Sequence, residues 1–151
     1  MQAVNETKNL KYRIEEGEVY AFDTIHVSPT LFKSNQTFIF SFMEFDNQFT
    51  VFEKNGKEVM DNANYIEGMG LSDNTSRLDV IHFSAIPWVP FTAITHATNQ
   101  PQRDSIPKIS VGKMIQNQDK LWLPVSVQAH HGLVDGFHVG QFFQVLEASL
   151  A

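Results

Sequence analysis

The chain of 151 residues contains no cysteine, so disulfides and thiol nucleophiles are excluded from any account of it. Positive charge is scarce: 11 lysines and arginines face 17 acidic residues, a formal net charge of −6. That balance disfavours a sequence-independent grip on nucleic acid, which depends on neutralising phosphates. No apolar run approaches the roughly 20 residues that span a bilayer. The amino end lacks the charged-then-apolar layout of a secretory leader. The default expectation is a soluble cytoplasmic protein. Internal repeats and low-complexity tracts are also lacking. What is present is material for one core, with thirteen phenylalanines and a hydrophobic share of 42%, and residues 1–151 are expected to form a single domain.

After a polar start, Leu10–Ile14 and Val19–Phe22 flank a glycine turn at Gly17 and predict a hairpin. A third strand fits Val27–Phe32. Thr37–Phe42 alternates polar with aromatic residues, as a strand with one buried face does. From Asp46 the spacing of Phe49, Phe52, Val59 and Met60 predicts a helix that Asn55-Gly56 interrupts and that ends before Gly68. Gly68–Arg77 reads as a loop. Leu78–Ala85 is a largely apolar strand delivering Ser84 near its end, and the Ile86-Pro87 step keeps the chain extended beyond it. Asn99–Pro107 is a polar connector. Lys108–Gln116 and Leu121–Ala129 read as a hairpin, and a last helix covers Gly136–Ser149. Strands with helices segregated to one face give the α+β class, a two-layer sandwich of a mixed, mostly antiparallel sheet.

Chemistry concentrates in His130-His131-Gly132-Leu133-Val134-Asp135-Gly136, the corner between the last strand and the last helix. Histidine exchanges protons near neutrality, so His131 or His130 is a candidate general base. Asp135 has three possible tasks: orienting an imidazole, pairing with an arginine to brace the turn, or capping the helix that begins near Gly136. His130, His131, Asp135 and His138 are also metal-ligand types. Without cysteine, a second cluster or helical spacing, the expectation is no metal.

This His-His-x-x-x-Asp-Gly run resembles the signature shared by chloramphenicol acetyltransferases, peptide-synthetase condensation domains and dihydrolipoyl acyltransferases. The flanks Asp119–Gln128 and Phe137–Phe142 resemble the chloramphenicol acetyltransferase version. So does the distant stretch Phe83-Ser84-Ala85-Ile86-Pro87-Trp88-Val89-Pro90-Phe91. The resemblance implies an O-acetyltransferase that uses acetyl-CoA as co-substrate and a small hydroxylated acceptor such as chloramphenicol, with no bound cofactor. It implies that His131 is the general base, that Ser84 stabilises the oxyanion, and that Asp135 supports the turn by pairing with an arginine. By the same resemblance Trp88 lies near the CoA tunnel, Ser110 takes the place of a water-holding threonine, and Phe32, with Phe40 and Phe42, belongs to the acceptor pocket. Met114 departs from the tyrosine common in the family, which removes one expected CoA contact. Homotrimers with active sites at subunit interfaces are implied as well.

The likeness enters the family pattern partway through, so the expectation is a chain shortened at its amino end. Arg13, Arg77 and Arg103 are then the arginines available to Asp135. Two other readings stand beside the first. One is an acyltransferase of dihydrolipoyl or condensation type, or one with a different acceptor. The other is a truncated, non-catalytic binding or assembly module.

Overall fold

Alternation along five strands sets the architecture. We describe the protein from a computed structural model, covering residues 1–96 and 104–150. The central strands are β3 (His26–Phe32), β4 (Phe38–Phe40), β5 (Val80–Ala85), β6 (Lys108–Val111) and β9 (Val125–Gln128), in the order β4-β3-β5-β6-β9. The β3/β5 and β5/β6 pairs are parallel, whereas β3/β4 and β6/β9 are antiparallel. Two hairpins, β1 (Tyr12–Glu15) with β2 (Glu18–Ala21) and β7 (Ile115–Asn117) with β8 (Lys120–Trp122), add further antiparallel pairs.

Register divides this sheet into two chemically different faces. Val27, Ile81, Phe83, Ile109, Val125 and Val127 share one face by their pairings. They pack against Ala3 and Val4 of α1 (Gln2–Glu6) and against Val139, Phe142, Phe143 and Leu146 of α3 (Gly136–Leu150). The other face carries Ser28, His82, Ser84, Lys108, Ser110, Ser126 and Gln128. An apolar face under helices and a polar face without them is the α+β sandwich expected from the pattern.

Several boundaries differ from the sequence expectations for local reasons. The polar start forms α1, because Ala3 and Val4 bury against the core. The helix expected from Asp46 is α2 (Phe49–Asn62); the Asp46 carboxylate accepts the Gln48 N–H at 2.7 Å just before it. Asn55-Gly56 does not interrupt α2. Gly56 is its buried residue and faces Met43. The 37–42 strand shrinks to β4 as the chain turns away to a single bridge between Met43 and Val27. The expected loop 68–77 includes a 3-10 turn at Asn74–Ser76, and β5 begins at Val80 rather than Leu78. One expected hairpin becomes two, because Pro124 offers no N–H and its carbonyl accepts the Gly112 N–H at 2.9 Å where the pairs part. Beyond Ile86 the chain is not extended: Pro87-Trp88 form a turn closed from Val89 N–H to the Ile86 carbonyl at 3.4 Å. Of the expected connector, residues 99–103 lie outside the described residues.

Candidate active site

A tight turn presents His131. The N–H groups of Leu133 and Val134 both donate to the His130 carbonyl, at 2.9 and 3.0 Å, and both side chains are buried. Asn9 Nδ2 clamps the Leu133 carbonyl at 2.6 Å. The turn is thus fixed by core burial and by one long-range amide while its tip stays outside. His131 is exposed at that tip. Its Nδ1 lies 3.4 Å from the Val134 carbonyl, and a proton on Nδ1 donates there. Nε2 is then left as an acceptor. The ring borders a depression of about 420 Å³, walled by Ile94, Val127, Val134 and Val139 and by the polar groups of Ser126 and Gln128.

Asp135 caps α3. Its Oδ1 accepts the N–H groups of Phe137 and His138 at 2.9 and 3.3 Å, and the Asp135 N–H donates to His138 Nδ1 at 3.2 Å. This is a capping box with histidine in place of the usual glutamate. The His138 N–H, above all, holds the Asp135 carboxyl below its ordinary range. The arginine partner implied by the resemblance is elsewhere. Arg13 is fully buried and donates to the carbonyls of Leu10, Tyr12, Leu78 and Val80 at 2.6–2.9 Å. Burial lowers its guanidinium to about 10. Arg77 forks onto Asp79 at 2.8 and 2.5 Å. Arg103 is outside the described residues. Among the described residues, His138 Nδ1 also lies 2.8 Å from the Asp135 carboxylate, a contact that becomes an ion pair only when the imidazole is protonated.

Ser84 sits near the end of β5, half-buried, in register with Ser110, which is in register with Ser126. Ser110 is fully buried, and its hydroxyl is 3.0 Å from His96 Nε2. At the same end of the sheet Phe32 meets Trp88 edge to face, centroids 5.9 Å apart; both are mostly exposed, at 60% and 66%. Phe42 is engaged differently, packed on His26 and under the Arg77 guanidinium.

Among the described residues, Ser84 and His131 of one chain do not border the same depression. Ser126, two strands from Ser84, corresponds to about 10 Å across the sheet, and the chain runs on through Gln128 and the turn before reaching His131. No cluster of three or more potential metal ligands exists among the described residues. No described helix is long and apolar enough to cross a membrane.

A chloramphenicol acetyltransferase family profile matches residues 1–147. The chain belongs to the chloramphenicol acetyltransferase family. It is 34% identical over 131 residues to a chloramphenicol acetyltransferase of Clostridium perfringens, covering 85% of this chain and 59% of that protein. One from Staphylococcus aureus is 29% identical over 148 residues, covering 94% and 66%. The chain therefore spans roughly three-fifths to two-thirds of these relatives' length. A solved chloramphenicol acetyltransferase superposes with a TM-score of 0.90 at 27% identity, covering 99% of this chain and 73% of that one. A dihydrolipoamide acetyltransferase of Azotobacter vinelandii shares the fold, with a TM-score of 0.69 at 15% identity, 95% of this chain and 61% of that one being covered.

The structure joins Phe32 with Trp88, sets Ser84 beside Ser110, and leaves His131 and Asp135 on a separate corner. Sequence reasoning passed over two histidines. His82 is two residues before Ser84, so strand alternation alone assigns it to the Ser84 face. His96 carried no such signal, because it lies in an irregular segment and meets Ser110 only through the fold.

Proposed function

We propose that this chain is an O-acetyltransferase that moves acetyl from acetyl-CoA to a hydroxyl of a small acceptor, with chloramphenicol the first acceptor to test. The observation that carries the reading is His131: an exposed imidazole bordering an open depression, its Nδ1 3.4 Å from a backbone carbonyl, so that a proton on Nδ1 leaves Nε2 as the base. In the proposed reaction Nε2 takes the acceptor hydroxyl proton as the oxygen attacks the thioester carbonyl carbon. The Ser84 hydroxyl donates to the resulting oxyanion. Collapse breaks the carbon–sulfur bond, and the departing CoA sulfur receives the proton from Nε2. No acyl-enzyme forms, because holding both substrates together makes direct transfer fast enough.

Since Ser84 and His131 of one chain border different surfaces, we assign them to one site built by two copies, His131 of one facing Ser84 of the next, in a homotrimer. Trp88 and Phe32 flank this site, Ser110 supports it from beneath, and Asp135 holds the turn by capping α3. The setting we propose is the cytoplasm, in keeping with a chain free of cysteine. Free thiol released from acetyl-CoA tests the proposal. Release that requires chloramphenicol and falls ~10²–10⁴-fold in His131→Ala is expected. No acceptor-dependent release at any protein concentration sinks the reading and favours a binding or assembly module.

A further inference from the structure

The sheet face that carries Ser84 holds two imidazoles that the reaction above leaves unused. His82 shares that face through its register with Ser28 and Lys108, two residues before Ser84 on the same strand. His96 reaches the same surface from the segment after the Pro87 turn and is held by Ser110, the register neighbour of Ser84. Both rings are half-buried. Among the described residues, His82 makes no side-chain hydrogen bond, and His96 makes only the one to Ser110. Among the described residues, nothing else engages the remaining nitrogens of these rings on the face that carries Ser84. Phe32 and Trp88 add a flat apolar rim at the end of the same strands.

The charges around the pair select among ligands. Lys108 is in register with His82, and the buried Arg13 guanidinium also acts on it. Asp104 is the carboxylate that acts on His82, and it is already ion-paired with Lys108. Burial first, then Lys108, pushes both histidines below their ordinary range, so both are neutral at pH 7. Neutral imidazoles donate to and accept from hydroxyls and amides, whereas no unpaired carboxylate on this face offers an ammonium a partner among the described residues.

We propose that His82 and His96 are specificity-determining residues of the acceptor subsite beside Ser84, selecting a neutral acceptor with hydroxyl and amide groups over one that carries an ammonium. This rests on the acetyl-transfer reading above. Each ring supplies one hydrogen bond in a partly water-free setting, and His96 is oriented for it by Ser110.

Calorimetric binding to the full chain tests the assignment with two probes: chloramphenicol, a neutral amide, and its amine parent, which bears an ammonium in place of the dichloroacetamide. Chloramphenicol is expected to bind the unmodified chain about tenfold more tightly than the amine does. His82→Phe and His96→Phe keep the ring volume and remove the hydrogen bonds; each is expected to weaken chloramphenicol about tenfold while leaving the acetyl-CoA affinity in place. His96→Gln restores a polar end and recovers most of the loss. Leucine replaces phenylalanine should circular dichroism show misfolding. Unchanged chloramphenicol affinity in folded variants of both positions, with thiol release persisting, overturns this inference and leaves acetyl transfer standing. An unmodified chain that neither binds chloramphenicol nor releases thiol in its presence overturns both.

Discussion

Asp135 illustrates how one motif position can carry several readings that only geometry separates. From the sequence it could orient an imidazole, pair with an arginine or cap a helix, and the structure has it capping α3 with His138 as the reciprocal partner. The cap fixes how its pH dependence must run. The Asp135 carboxyl is held below its ordinary range, so its stabilisation is fully present above the unfolded-state value near 4 and is lost as pH falls through the lower, folded value. Asp135→Ala is accordingly expected to lower Tm at neutral pH, with the gap from the parent chain closing on acidification below about pH 4. A gap that stays constant to the acid limit contradicts the cap. Arg13 belongs to the same scale. Its guanidinium satisfies four carbonyls, two from its own neighbourhood and two from the distant 78–80 segment. Arg13→Lys, with a compact ammonium and no planar fork, is expected to cost about 2 kcal/mol, and Arg13→Met about 3 kcal/mol or more, in urea denaturation. In the sequence Arg13 was a charge on a strand and a candidate partner of Asp135; that it is buried follows from contacts with residues 65 and 67 positions away.

At the scale of elements, periodicity was the legible part. The strands ending at Phe32 and Ala85, the helix around Phe52 and the closing helix were all readable from spacing, because each buries one face and water enforces the pattern. One misreading has a remote cause, a local signal overridden by a contact elsewhere in the chain. Gly56 reads as a break, yet it is where α2 approaches Met43 closely. Gly70 shows the converse, a glycine whose loop the sequence did not resolve but whose geometry is strict. It has φ +69°, and a Cβ there would lie 2.5 Å from the Phe40 carbonyl oxygen. Gly70→Ala should therefore push the 68–77 segment off β4, breaking the Phe40 N–H bond to Met69, at a cost of about 2–3 kcal/mol. Urea denaturation measures it. A cost below about 0.5 kcal/mol, the ordinary range for a surface change, argues against the constraint.

For the whole molecule the decisive matter is how many chains one site requires. The family pattern in the sequence named His131 and Ser84 without giving their separation, since a motif encodes residue types and order, not which surface each borders. Within one chain Ser84 does not line the depression at His131. If two copies complete the site, each single variant is inactive for a different reason: His131→Ala lacks the base but keeps a sound Ser84 surface, and Ser84→Ala the reverse. Co-refolding equal amounts of the two variants into mixed rings then re-creates intact sites wherever a Ser84→Ala chain offers its His131 to the Ser84 of a His131→Ala neighbour. Random assortment makes roughly a quarter of all sites of that kind, so acceptor-dependent thiol release is expected to recover to about a quarter of the parent value. A site contained in one chain predicts no recovery at any mixing ratio, because every chain in the mixture carries one lesion. The same assembly makes specific activity fall on dilution below its dissociation constant, and activity strictly proportional to protein concentration over that range would rule out the shared site.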